Sequence, residues 1–339
     1  MRQHLNTLFV TREGAYLAKD GAAIDVRLEG KSLLRVPLHN LDGIVAMGYD
    51  IGASAHLMAA CAEAGVTLSF CSPHGRFLAA VRGFTPGNVL LRRTQYRVSD
   101  DLEASLKIAA PMIAAKLANT RAVVLRAQRD HGAHPRLEEI ATMLSRSARM
   151  ALRAESLDQL RGIEGDAAAG YFSGFSLLLT PADLPFAGRV RRPPTDPVNA
   201  LLSFFYSLLA HDCRSALESV GLDAAVGFLH RDRPGRPSLA LDLMEEFRPA
   251  LADRAALTLL NRKQIGPGDF RIQESGAVEL KEEPRKLAMT AWQERKQDEI
   301  MHPYLQEKTT IGLLPFVQAR LLARHLREDL DAYPAFLWR

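Results

Sequence analysis

The chain has 339 residues, 43 Lys and Arg against 39 Asp and Glu, and 47% hydrophobic residues. That composition excludes a disordered or collagen-like chain and leaves enough apolar material for two domains with cores of their own. A formal charge of +4 permits a nucleic-acid partner without requiring one, so local clusters must carry any electrostatic argument. Cys61, Cys71 and Cys213 have no CxxC spacing, and the first two sit in apolar runs, which reads as reduced buried thiols of a cytoplasmic protein. MRQHLNTLFV has no apolar signal core, and no uninterrupted apolar stretch approaches about 18 residues, which argues against export and against a membrane span.

From the N-terminus, short apolar runs alternate with turn signals: TLFV, AYLAK, AIDVRL, LLRVPL, GIVAMG, VTLSF and FLAAV are separated by Arg12-Glu13-Gly14, Asp20-Gly21, Glu29-Gly30 and Pro73-His74-Gly75. Asp-Gly between such runs favours a tight hairpin, because glycine tolerates the positive φ that the turn needs. Residues 1–85 therefore read as a small β-rich domain. The exception is SAHLMAACAEAG, 54–65, where Ala and Leu dominate and Gly65 can end a helix. Residues 86–99 read as a basic linker, with Pro86-Gly87 followed by Arg92, Arg93 and Arg97. From 100 to 339 apolar residues recur at spacings of three and four, which predicts a larger, mostly α-helical domain and an α+β chain overall. AGRVRRPPTDP, 187–197, is a second irregular and basic stretch.

In GFLHRDRPGRPSLALDLMEEFR, 227–248, a histidine and three arginines precede a helix that starts near Ser238. Asp242, Glu245 and Glu246, at spacings of three and four, can then share a face. Acids early in a helix also suit its dipole, so a well-started surface helix is the plain alternative. Leu239, Leu243, Met244 and Phe247 surround the acids, which points to burial and hence to a cation or donors. Pro249 cannot donate to the carbonyl of Glu245, so an irregular turn is expected there. A further acid, Glu164, lies in LRGIEGDAAAGYFSGF, inside a helix that Ser156 and Gln159 can cap. Gly162, Gly165 and Gly170 beside it allow either close helix packing or the approach of a ligand.

The words IEG (163–165), DPVNALLSFFYSLL (196–209), GFLH (227–230), SLALDLMEEFRP (238–249), NRKQ (261–264) and ERKQDEIMHP (294–303) resemble, in order and spacing, the CRISPR-associated adaptation integrase, the "Cas-one" family, in the branch that accompanies type I-C systems. The resemblance implies a β-domain followed by a helical catalytic domain, with Mg²⁺ or Mn²⁺ held by Glu164, His230 and Glu245 and with Asp242 shaping the site. The family often has Asp where this chain has Glu245, which keeps the carboxylate and lengthens its reach. Such a metal can polarise a phosphodiester for attack by water or by a DNA 3′-hydroxyl. The activity implied is that of a metal-dependent endonuclease and integrase that inserts spacer DNA into a CRISPR array. Arg231, Arg233, Arg236 and Arg248 would hold phosphates. Asn199 and Tyr206 would support the site. Implied partners are double-stranded and branched DNA, a second copy joined through the β-domain, and a dimer of the companion "Cas-two" protein, with no membrane role.

A non-catalytic DNA-binding scaffold, in which the acids are structural, is the competing reading. It predicts indifference to loss of Glu164 or His230. A metallohydrolase of small phosphoesters is a third; it requires a closed pocket, whereas arginines on the 189–192 and 231–236 loops favour a long polyanion.

Overall fold

Two hairpins open the fold as the turn residues predict. β2 (Tyr16–Asp20) and β3 (Ala23–Leu28) pair antiparallel across Gly21-Ala22, and β3 turns into β4 (Lys31–Pro37) through Glu29 and Gly30, both at positive φ. Two consecutive left-handed residues make the turn that matches strand twist. The structure, a computed structural model, describes residues 7–41, 43–73, 77–81, 89–181, 184–190 and 192–338. His74 and Gly75 of the expected turn, and Pro86-Gly87 of the expected linker, lie outside the described residues.

The chain divides into two units, Met1–Pro86 with Gln293–Asp298, and Gly87–Trp292 with Glu299–Arg339. In the first, one sheet has the order β4-β3-β2-β6, with β6 at Gly52–Ala53. The other has β1 (Thr7–Val10), β5 (Gly43–Met47), β7 (Thr67–Cys71) and β8 (Phe77–Val81) in that order, parallel except for the last pair. Leu17, Ile24, Ile44 and Leu68 form its core with Leu57 and Cys61 of α1 (Ala55–Ala64). Ser54 caps α1, and Gly65 ends it in the left-handed conformation. Burial raises the thiols of Cys61 and Cys71 to about 11, so both are unreactive.

The second unit is helical: α2 (Val89–Asp100), α3 (Leu102–His131), α4 (Pro135–Ala151), α5 (Leu157–Ser173), α6 (Pro197–Ser219), α7 (Ser238–Glu245), α8 (Arg254–Asn261), α9 (Glu282–Gln297), whose last residues from Gln293 on fall in the first unit, and α10 (Leu314–Leu326). Two hairpins accompany them, β9 (Phe270–Ile272) with β10 (Val278–Leu280), and β11 (Glu299–Met301) with β12 (Lys308–Thr310). The linker reading is corrected over 89–99, which is α2. Its Gln95 is fully buried and donates to the carbonyls of Asp223 and Val226, a fixed dock that a hinge would not have. α3 runs through the centre, against α4, α5 and α7. It is long and apolar enough to cross a membrane, but most of its apolar stretch is buried inside this unit, as in a core helix. A π-helical turn, Arg248–Asp253, follows α7 where Pro249 interrupts it.

Candidate active site

Asp242 of α7 is 1% exposed and organises the loop before its own helix. Its Oδ2 accepts the backbone N–H groups of Phe228 (2.6 Å) and Leu229 (3.0 Å), and its Oδ1 accepts that of His230 (3.0 Å). The same Oδ1 lies 2.5 Å from Nδ1 of His230. A carboxylate already accepting three N–H bonds is an acceptor to the ring as well. Nδ1 therefore donates, and Nε2 keeps its lone pair, with no hydrogen-bond partner among the described residues. Asp242 is thus a positioning residue for His230. Gly227 makes the approach possible, since a Cβ there would stand 2.7 Å from Asp242 Oδ2 and 2.9 Å from the carbonyl carbon of Ser238. Arg161 ties the loop to α5, donating to the Leu229 carbonyl at 3.0 and 2.6 Å.

Glu164 and Glu245 meet at a cation that the sequence reading missed. Lys116, in the middle of α3, places Nζ in an ion pair with Glu164 Oε1 and 2.7 Å from Glu245 Oε2. Arg248 donates to the other oxygen of Glu245 at 2.8 Å. Burial opposes a charge on Glu245, but the cations of Arg248 and Lys116 outweigh it and hold the carboxyl well below the usual range. Glu164 stands on a bare stretch of α5. A Cβ on Gly162 or Gly165 would meet nothing within 4 Å, whereas Gly170 and Gly174 receive Met143 and Ile140 of α4. The glycines near this acid thus serve both expected purposes, open surface beside Glu164 and close packing further along. Ser156 caps α5 through the N–H of Gln159, whose side chain reaches back to the N–H of Glu155.

Behind these acids a second layer fixes Arg248. Its guanidinium lies 4.5 Å from the Tyr206 ring centre, with that of Arg189 at 5.2 Å. The Tyr206 hydroxyl donates to Asp253 Oδ1 (2.6 Å), and that of Tyr171 to Oδ2 (3.1 Å). Burial raises the Asp253 carboxyl and lifts both phenols well above their usual range, so the tyrosines stay protonated donors. Asn199, fully buried, accepts from Arg189 (2.7 Å) and Val190 N–H (3.0 Å) and donates to the Gly188 carbonyl (2.8 Å). Asn199 and Tyr206 therefore hold the 188–190 loop and Arg248 in place.

The four arginines expected to hold phosphate divide. Arg233 is exposed and Arg236 partly so, and neither side chain has a partner among the described residues. Arg231, also exposed, pairs with Asp158 at 2.9 Å. Arg248 is corrected: packed over Tyr206 and paired with Glu245, it is an internal counter-charge rather than a free phosphate ligand. His302 is also internal. Its Nδ1 accepts the Leu305 N–H, and Nε2 pairs with Gln318 Oε1 at 3.1 Å.

Whether the residues suit a divalent cation can be judged from their donors. Two carboxylates converge on one positive charge, and buried Glu245 Oε2 meets the Lys116 ammonium at 2.7 Å off the hydrogen-bond axis. The unengaged Nε2 of His230 adds a nitrogen donor. Oxygen and imidazole donors suit Mg²⁺ or Mn²⁺. Among the described residues no three acid, histidine or cysteine side chains already stand together at metal-holding distances, since Lys116 occupies the space between the acids. Lys116 was detectable in principle, because Met112, Ile113, Thr120 and Val123, at helical spacing from it, are all buried. A lysine on such a face needs an acid, but its partners are distant in the chain.

The family described as CRISPR associated protein Cas1 matches residues 8–294. A "CRISPR-associated endonuclease Cas1 2" of Rhodospirillum rubrum is 53% identical over 100% of both chains. A "CRISPR-associated endonuclease Cas1 1" of Chlorobaculum tepidum is 49% identical, again over 100% of both. Among solved structures, a chain of a Cas6-RT-Cas1–Cas2 complex superimposes with a TM-score of 0.82 at 25% identity, covering 98% of this chain and 36% of that one.

Proposed function

Because the chain belongs to the CRISPR-associated Cas1 family, we propose that it is a cytoplasmic, divalent-metal-dependent DNA endonuclease and integrase that inserts spacer DNA into a CRISPR array. The observation that carries the reading is the convergence of Glu164 and Glu245 on one cation position, beside a histidine whose Nε2 is unengaged. Glu164, Glu245 and His230 would hold Mg²⁺ or Mn²⁺. When bound, such an ion polarises a phosphodiester and activates the attacking hydroxyl. Asp242 keeps the His230 proton on Nδ1, which leaves Nε2 as the nitrogen donor a metal would use. Arg248 and the Tyr206–Asp253 pair hold Glu245 in place and charged. Arg231, Arg233 and Arg236, on the exposed loop before α7, hold phosphates of double-stranded or branched DNA.

The β-rich domain is proposed to join two copies. Its edge strand β4 exposes Leu33 (50%) and Leu34 (46%), apolar surface of the kind a second copy covers. A Cas2 dimer is the proposed further partner, in line with the complex in which the similar chain occurs. The type I-C assignment rests on the sequence words at 163–165, 196–209 and 227–249.

Strand transfer and nicking of labelled branched DNA with Mn²⁺, for wild type and His230→Ala, test this reading. Loss of turnover in a folded variant that still binds DNA is the expected result. Equal binding with no cutting or joining by either protein, even with Cas2 added, would leave a DNA-binding scaffold.

A further inference from the structure

Glu245 has both oxygens committed to cations, Oε1 to Arg248 and Oε2 to Lys116. A metal reaches this carboxylate only if one of them leaves. Arg248 is fixed by stacking on Tyr206 and by its bond to Oε1. Lys116 is the displaceable one. Its ammonium is a compact charge on a flexible four-carbon stem; it donates to Glu164 Oε1 but meets Glu245 Oε2 off the hydrogen-bond axis, so on the Glu245 side charge attraction is its main hold. It also has the charge that the position calls for. With Lys116 and Arg248 present, the charges of Glu164 and Glu245 are balanced, so adding a divalent ion without removing Lys116 would crowd positive charge into a largely buried site.

We propose that Lys116 is a built-in counter-ion occupying the cation position between Glu164 and Glu245 until a divalent metal displaces it, so that metal loading is a competition with the chain's own ammonium. This rests on the metal-site reading above. It assigns Lys116 two effects as a positioning residue. Without metal it keeps two carboxylates from repelling each other, so the fold does not depend on the ion. It also sets a threshold of metal concentration below which the site stays closed and inactive.

The test measures Mn²⁺ binding to the full chain by the EPR signal of free Mn²⁺, for wild type, Lys116→Met and His230→Ala, together with melting temperatures in EDTA and in Mn²⁺. Lys116→Met should bind Mn²⁺ about tenfold more tightly or better. It should also gain more melting temperature from Mn²⁺ than wild type does, having lost stability in EDTA. Lys116→Gln serves as the second variant if the methionine substitution prevents folding, and should shift affinity in the same direction. If His230→Ala weakens binding while the Lys116 variants match wild type, the lysine is merely structural and the inference falls alone. If wild type binds no Mn²⁺, or His230→Ala binds it unchanged, the metal-site reading falls and takes the inference with it.

Discussion

Glu245 and Glu246 are adjacent, both buried, and face opposite ways. Glu245 looks toward Lys116 and Arg248, and those cations hold it charged. Glu246 looks toward the C-terminal segment, accepting the Tyr333 hydroxyl at 2.5 Å, the Phe336 N–H at 2.6 Å and the Gln318 amide at 3.0 Å. All three donors are neutral. Burial there outweighs the hydrogen bonds and pushes the carboxyl up to about 7. Burial alone therefore does not decide whether an acid stays ionised; the charge of its partners does. One side of this short segment is held as an anion, while the other clasps the tail. Asn119 of α3 completes that clasp, donating to the carbonyls of Glu246 and Phe336 and accepting the Trp338 N–H at 2.7 Å.

The two acids should have opposite pH signatures. Glu246 binds its proton more tightly in the folded state, so its stabilising contribution is full below about 4.5 and is lost as pH rises through about 7. Glu245 has a depressed carboxyl, so its contribution is present above about 4.5 and is lost on acidification.

The strongest way to break the contrast is to remove a cation. Arg248→Ala leaves a buried carboxylate short of one partner and should cost about 3 kcal/mol, read by denaturant unfolding at pH 7. Retained stability would mean that Arg248 does not hold Glu245. The pH contrast is sharpened by Glu246→Gln. Wild type should lose up to about 3 kcal/mol between pH 5 and pH 8 relative to this variant, because the glutamine has no charge to bury. Parallel stability profiles would show that Glu246 does not titrate in that window. The smallest effect is expected at Asp158, whose pairs with Arg161 and Arg231 are solvated, the carboxylate being 74% exposed. Asp158→Ala should leave the denaturant midpoint of unfolding indistinguishable from that of wild type.

How much of this was legible beforehand depended on distance along the chain. The Glu29-Gly30 hairpin, the end of α1 at Gly65 and the start of α7 at Ser238 are local events, dictated by residues that touch their neighbours. His230 and Asp242 are close in sequence, and the loop-then-helix pattern brought them to notice. α2 reads as a hinge because of its three arginines and the Pro-Gly before it. Its buried Gln95, docked on residues 223–226, carries no such signal by itself. Lys116 and Asp253 carry no local signal for the same reason, because the partners of each come from other helices. Arg248 was seen but assigned outward, since nothing local shows that Tyr206 lies over its guanidinium.

On the proposed reading, the anion at Glu245 serves the chemistry while its neighbour serves the fold. Strand transfer on labelled branched DNA in Mn²⁺, with Glu245→Gln and Glu246→Gln measured side by side and both checked for folding and DNA binding, tests it most directly. Glu245→Gln is expected to lose at least about a thousandfold in rate, on the scale of losing a catalytic metal's charge stabilisation, while Glu246→Gln stays within a few-fold of wild type. Comparable activity in the two variants, or loss only with Glu246→Gln, would contradict it.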